Sequence, residues 1–387
     1  MPPFRSHLPS LLYLTAIFFL NFLARVVLAP LMPAIERDLN VGHSEAGSFF
    51  LFISLGYCLG LLGSGFFSSR FTHRRTISLS SMAVGGSLLA VSLGHTLWWI
   101  RLGLILLGLS AGLYLSSGIV TLTAIVNSRD WGKALAVHEL APNLGFIAAP
   151  LLAEAFMVWF SWREVLALLG GAAFIVGVTF ARFGKGGAFS GEIPSTKTLR
   201  VLLTCPSFWI MMALFSMAIG ATVGVYTMLP LYLVTERGLE RGWANTLIGL
   251  SRIAGLGVVF LAGWATDQLG PRRALGGVFL ATGVATVLLG MSRGVWIIPV
   301  LFLQPVLAGC FFPPGFAALS KIGPPQVRNV AVSLTIPVAF LLGAGAIPAG
   351  IGIMGEGGSF PLGIMLVGLL LMGNIIPVHY LKFHEDR

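Results

Sequence analysis

Charge is what this sequence has least of. Only 10% of its 387 residues are Asp, Glu, Lys or Arg, against roughly 25% in a soluble globular chain, while 56% are hydrophobic. Mean hydropathy is +0.90. So few charges cannot cover a water-facing surface, which excludes a soluble domain and makes lipid the solvent for most of the chain. Acidic residues are scarcer still, 14 against 24 Lys and Arg, for a net charge of +10. That balance alone would suit a nucleic-acid partner. The basic residues, however, fall between hydrophobic runs and form no polar domain, so nucleic acid is excluded. Three cysteines, Cys58, Cys205 and Cys310, lie far apart, the first and last inside apolar runs and Cys205 just before one. Without metal-ligand spacing they read as packing residues, not as disulfides or ligands. The sequence also has no phosphate-cradling glycine loop and no His/Asp/Glu cluster with metal spacing. An enzyme, a cofactor and a metal are therefore not expected.

Long hydrophobic runs, by contrast, are abundant: about 8–33, 46–67, 75–94, 97–126, 134–158, 163–182, 207–234, 243–265, 272–291, 294–320, 328–352 and 360–382. Each approaches or exceeds the roughly 20 residues that span a hydrocarbon core. Backbone polar groups cannot stay open in lipid, so the runs must be helices. The expected fold class is an all-α integral membrane protein with twelve transmembrane helices. With the N-terminus inside, the inner segments hold Arg5, Arg70, Arg74, Arg75, Arg129, Lys133, Arg182, Lys185, Lys197, Arg200, Arg272, Arg273, Lys321, Arg328, Lys382 and Arg387. The outer loops hold only Arg37, Arg163, Arg237, Arg241 and Arg293. That asymmetry places both termini in the cytoplasm. The first run is too long for a signal-peptide core and is read as a retained helix.

Three stretches recur in order. PLMPAIERDL (Pro30 to Leu39) matches PLYLVTERGL (Pro230 to Leu239). GFFSSRFTHRR (Gly65 to Arg75) matches GWATDQLGPRR (Gly263 to Arg273), and KALAVHELAP (Lys133 to Pro142) matches RNVAVSLTIP (Arg328 to Pro337). Their offsets drift slowly, from 200 to 198 to 195 residues. The chain therefore reads as two pseudo-symmetric six-helix bundles, 1–182 and 207–387, joined by a polar Gly/Pro/Ser/Thr-bearing linker at 183–206.

The doubled basic turn, Gly-x-x-x-Asp-(Arg/Lys)-x-Gly-x-(Arg/Lys)-(Arg/Lys), resembles that of the major facilitator superfamily, and the resemblance extends to the twelve helices, the 6+6 repeat and the central linker. It implies that family's fold and alternating-access transport. The C-terminal copy keeps Gly263, Asp267, Gly270, Arg272 and Arg273; the N-terminal copy keeps Gly65, Arg70, Arg74 and Arg75 but has Ser69 for Asp and Thr72 for Gly. In the family this turn latches the outward-open state on the cytoplasmic side. The plainer reading is a topology signal alone. Gly145 to Pro150 partly matches a Gly-x-x-x-Gly-Pro pattern frequent in exporters, with Ala149 in place of the second Gly.

Ionisable groups at bilayer depth cost at least roughly 2.5–3.5 kcal/mol unless partnered or wetted. Those expected there are Arg25, Arg101, His138, Glu139, Glu154 and Arg252. At 1.5 Å per residue, Arg25 and Arg252 each lie about 12–14 Å below the outer surface. Helices 1 and 8 line the central cavity in the superfamily, so the resemblance lets both arginines face one substrate. Guanidinium suits bidentate capture of carboxylate or phosphate. Tyr226, Asn143, Tyr114 and Asn21 are the expected polar companions at the substrate, with Tyr57, Gln304 and Phe312 able to shape the cavity. Glu139, with Leu334 at its repeat position, is the first expected proton carrier; His138 and Glu154 come next. The expectation is a monomeric, proton-coupled carrier of a small organic anion in the cytoplasmic membrane, with protons and membrane lipids as its other partners. A proton-driven exporter of amphipathic or cationic compounds is the alternative. The arginines on helices 1 and 8 match no single subfamily pattern.

Overall fold

The computed structural model describes residues 4–191, 202–322 and 328–383, and every regular element among them is a helix. We number the α-helices in chain order. The first six-helix stretch gives α1 (Phe4–Val26), α2 (Leu28–Leu39), α3 (His43–Arg70), α4 (His73–Ser92), α5 (Leu97–Gly112), α6 (Tyr114–Ile125), α7 (Trp131–His138), α8 (Leu140–Met157) and α9 (Trp162–Phe183). The second gives α10 (Pro206–Ile219), α11 (Val225–Leu231), α12 (Arg241–Ser251), α13 (Gly255–Leu269), α14 (Pro271–Met291) and α15 (Ile297–Gly309). It continues through α16 (Phe312–Leu319), α17 (Arg328–Ala339), α18 (Ile347–Glu356), α19 (Phe360–Gly373) and α20 (Ile375–His379). Three π-helical segments, Gly220–Gly224, Tyr232–Glu236 and Phe340–Ala346, are inserted among them.

Many predicted runs are thus two helices end to end, and proline explains several breaks. Pro30, Pro142 and Pro314 carry no N–H, which frees the carbonyls of Val26, His138 and Cys310 four residues back. The breaks fall at Val27, at Glu139 and at 310–311. Among the described residues, ten helical stretches are long and apolar enough to cross a bilayer, so this is a multi-pass membrane protein. The other two predicted runs, 75–94 and 243–265, correspond to α4 and to α12 with α13. Helix α4 is rich in serine, yet Ser80 donates to the Ser110 carbonyl (2.6 Å) and Ser81 to that of Ala173 (2.8 Å), both buried. Its hydroxyls bind neighbouring helices, which is how polar side chains hold membrane helices together. The α12–α13 run is divided at Arg252.

The repeat is visible in packing. In the first half α4 crosses α9, and a methyl on Gly85 would sit 2.5 Å from the Gly170 carbonyl oxygen. In the second, α14 crosses α19, and a methyl on Gly283 would sit 2.7 Å from that of Gly368. Both pairs are displaced by the same 198 residues as the basic turns. Two compact units result: Met1–Leu31 with Phe52–Ile193, and Met32–Leu51 with Pro194–Arg387. Residues 32–51, counted in the first bundle by the sequence division, pack with the second unit. Of the linker, Lys197 and Arg200 lie outside the described residues, as does Arg387.

Candidate functional site

Both membrane arginines stand at helix interruptions. Arg25 is the penultimate residue of α1, next to the break made by Pro30. It is buried, its guanidinium 4.0 Å from the centre of the Tyr57 ring and 5.2 Å from that of Phe22. Phe22 in turn meets Phe146 edge-on at 4.9 Å. Gly145 gives Phe22 its place, since a methyl there would lie 2.6 Å from the ring. In the second unit Arg252 follows the last residue of α12, and its guanidinium lies 4.7 Å from the centre of the Tyr226 ring. It also donates to the Thr222 carbonyl (2.9 Å) inside the π-helical segment, where the wider turn leaves carbonyls to be claimed by side chains. The adjacent Ala221 carbonyl accepts from Gln304 (3.0 Å). Each unit therefore offers one arginine stacked on a buried tyrosine, an arrangement that favours the cation electrostatically.

The expected proton-carrying residues also meet. His138 is fully buried, stacked on Phe18 at 4.5 Å, and its Nε2 is 3.0 Å from the Tyr114 hydroxyl. That hydroxyl donates its single proton to the Leu14 carbonyl (2.7 Å). It can then only accept from His138, which assigns the imidazole proton to Nε2. Nδ1 is left on the other side, 3.6 Å from the Glu139 carboxylate. Glu139 occupies the break between α7 and α8, and its side chain is 55% exposed where His138 is sealed.

The remaining expected residues divide. Asn21 is buried and donates to the Ala111 carbonyl (3.1 Å) beside the α5–α6 break. Asn143 is exposed and donates to the Glu139 carbonyl (2.9 Å). Asn21 and Asn143 thus serve helix interruptions with the polar atoms seen in contact, while Tyr114 ties His138, at the end of α7, to the interior of α1. Glu154 is half-buried on α8; Arg101 lies 4.9 Å from the Trp98 ring. Sequence reasoning missed Phe18, Phe22 and Thr222. The aromatic residues looked like ordinary membrane filling, and a π-helix has no simple residue signature.

The basic turns acquire a concrete partner. Arg74 donates to the Ala181 (2.9 Å) and Arg182 (3.3 Å) carbonyls, at the end of α9. Arg272, its repeat mate, donates to the Leu381 carbonyl just beyond α20. In each half, the first arginine of the pair satisfies carbonyls that a helix end leaves open. Thr72 accepts from the Arg75 amide (3.4 Å) as the N-cap of α4. In the other copy Gly270 takes φ +79° before Pro271 opens α14. The departure of Thr72 from glycine thus replaces a left-handed turn by a side-chain cap.

The family model of the Major Facilitator Superfamily matches residues 14–348. The chain belongs to that superfamily. Among curated relatives it is similar to the 4-hydroxybenzoate transporter PcaK of Acinetobacter baylyi, at 23% identity over 79% of each chain. It resembles the probable nitrate/nitrite transporter NarK2 of Mycobacterium tuberculosis at 23%, covering 89% of this chain and 80% of that one. The hexuronate transporter of Bacillus subtilis matches at 25%, over 89% and 79%. Among solved structures, a bacterial homologue of the human lysosomal transporter Spinster superposes with a TM-score of 0.83 at 15% identity, covering 100% of this chain and 99% of that one. The superfamily carries out transport, not catalysis.

Proposed function

We propose that this protein is a secondary transporter that moves a small organic anion, a carboxylate above all, across the cytoplasmic membrane in step with protons. The observation that carries this reading is the pair of arginines, Arg25 and Arg252, each at a helix interruption and each stacked on a tyrosine. Interrupted helices are where transporters of this kind bind substrate. The names of the relatives agree in sign, since hydroxybenzoate, hexuronate, nitrate and nitrite are all anions. Each half supplies one guanidinium, and Tyr226 contributes its ring beside Arg252. Asn143 offers its amide oxygen, while Asn21 and Tyr114 hold the interruptions in shape around the anion.

Proton exchange is assigned to Glu139 with His138 behind it. The exposed carboxylate takes the proton and the imidazole Nδ1 shares it, while Tyr114 fixes the tautomer. Glu154 is the second carboxylate on the same membrane segment. Gly65, Arg70, Arg74, Arg75, Gly263, Asp267, Gly270, Arg272 and Arg273 form the two cytoplasmic latches, which also meet anionic lipid headgroups. The carrier works as a monomer with both termini in the cytoplasm.

A thermal-shift panel tests the anion assignment: 4-hydroxybenzoate, glucuronate, nitrate and a lipophilic cation, each with wild type and Arg252→Ala. Stabilisation by a carboxylate that disappears in the variant is expected. Stabilisation by the cation alone, or by anions equally in both proteins, overturns the assignment in favour of the exporter reading.

A further inference from the structure

One group of ionisable side chains plays no part in the transport reading: Glu36, His43 and Glu356, all in the second compact unit. Helix α3 begins at His43, and the residue before it is Gly42, so no side chain at that position caps its first amides. The cap comes from 312 residues away. The Ser44 amide donates to Glu356 Oε2 at 2.9 Å. Glu356 is itself the last residue of α18. A carboxylate there faces the negative end of its own helix dipole, whereas the start of α3 offers the positive end. The charge is thus poorly placed for the helix that carries it and well placed for the helix it touches.

The surroundings are built for this contact. A methyl on Gly42 would sit 2.8 Å from the Glu356 carboxylate, so a side chain there would push the carboxylate off the start of α3. A methyl on Gly47 would lie 2.5 Å from the Pro348 carbonyl oxygen, and one on Gly352 would collide with that of His43. The first turns of α3 and the last turns of α18 therefore touch backbone to backbone. His43 completes the corner, with Nδ1 2.8 Å from the Glu36 carboxylate and its ring 4.9 Å from Phe360.

By the sequence repeat, the α2–α3 corner belongs to the first six helices and α18 to the last six. Helix α3 runs from this corner to the basic turn at Arg70, so the corner lies on the opposite face of the membrane from the basic turns. Alternating access requires such contacts to part when that face opens. We infer that Glu356 is a clasp: its carboxylate on the start of α3 holds this face closed, and its release is part of opening. The inference rests on membership of the superfamily and not on the anion assignment, and its test needs no substrate.

Hydrogen–deuterium exchange of the full chain in lipid nanodiscs reads the clasp directly. Wild type is compared with Glu356→Ala, Gly352→Val and the control Arg129→Gln, an exposed side chain in the first unit. Glu356→Ala removes a charge-assisted hydrogen bond, and exchange should quicken about tenfold or more in 42–56 and in 347–356 together. Gly352→Val, which keeps the carboxylate but pushes the backbones apart, should do the same. Arg129→Gln should leave both segments at the wild-type rate, and exchange in α4 should be unchanged in all variants, which reports that the fold is intact. Deprotection confined to residues 43–46 would mean a helix cap and no clasp. No change in either segment would mean that the contact holds nothing closed. Either result overturns the inference.

Discussion

Tyr114 and Arg252 carry the sharpest consequences of single side chains. The Tyr114 hydroxyl closes a chain from His138 Nε2 to the Leu14 carbonyl, so Tyr114→Phe leaves a buried donor and a buried acceptor open at once. Such losses cost about 1–3 kcal/mol, and a clear fall in melting temperature is expected; an unchanged melt would contradict the hydrogen-bond assignment. Arg252→Lys keeps the charge but loses the planar fork that reaches both the Thr222 carbonyl and the Tyr226 face. Anion affinity should fall at least about tenfold, as expected where a guanidinium binds in two ways. Unaltered affinity would show that Arg252 acts as a point charge or not at all. The sequence announced both arginines, because a charge in an apolar run is conspicuous. It also named Tyr226 and Tyr57 as cavity residues, though not as the rings the arginines stack on. Phe22 and Thr222 went unnamed, since Phe22 is one of many buried aromatics and Thr222 contributes a carbonyl that any residue could supply.

At the scale of elements, helix ends hold the chain together. Arg74 on the end of α9 and Arg272 beyond α20 are equivalent, so Arg74→Ala and Arg272→Ala should each destabilise by about 0.3–1 kcal/mol. The two losses should add in the double variant, since the arginines serve different units; strong non-additivity in thermal melts would mean a shared partner. Helix α12 gives a pH test. Glu240 caps it by accepting from the Gly242 and Trp243 amides at 2.8 and 2.9 Å, bonds that hold its carboxyl below the ordinary value of 4.5. A lowered pKa contributes stability that is present above that value and fades as pH falls below it. Glu240→Gln should therefore melt below wild type at pH 7, with the gap closing as pH falls below the ordinary carboxyl range. A gap independent of pH would rule out the charged cap. The existence of the spans was legible, as hydropathy alone forces it. Their interruptions were legible only where proline marks them, at Val27, Glu139 and 310–311. The π-helical segments Gly220–Gly224 and Phe340–Ala346 pack glycine against glycine, where a methyl on Gly224 would collide with the Gly343 carbonyl oxygen, which periodicity does not record. The segment Tyr232–Glu236 and the break at Arg252 carry no residue signature.

For the whole molecule, the duplication explains most of what is regular. The basic turns, the Gly85–Gly170 and Gly283–Gly368 crossings, and the arginine-capped last helices all recur at about 200 residues. What breaks the symmetry is where function is expected. Glu139 faces Leu334 in the repeat, Ser69 faces Asp267, and the two arginines stand on non-equivalent helices. On the reading proposed above, the arginines carry the anion and Glu139 the proton. The most direct test is uptake into proteoliposomes of purified protein, with radiolabelled 4-hydroxybenzoate and glucuronate and an inward proton gradient. Uptake of at least one carboxylate should be driven by the gradient, collapse with a protonophore, and be lost in Arg25→Ala and in Arg252→Ala. Gradient-driven uptake that survives both substitutions, or carboxylates left untransported while a lipophilic cation is moved, would contradict the account.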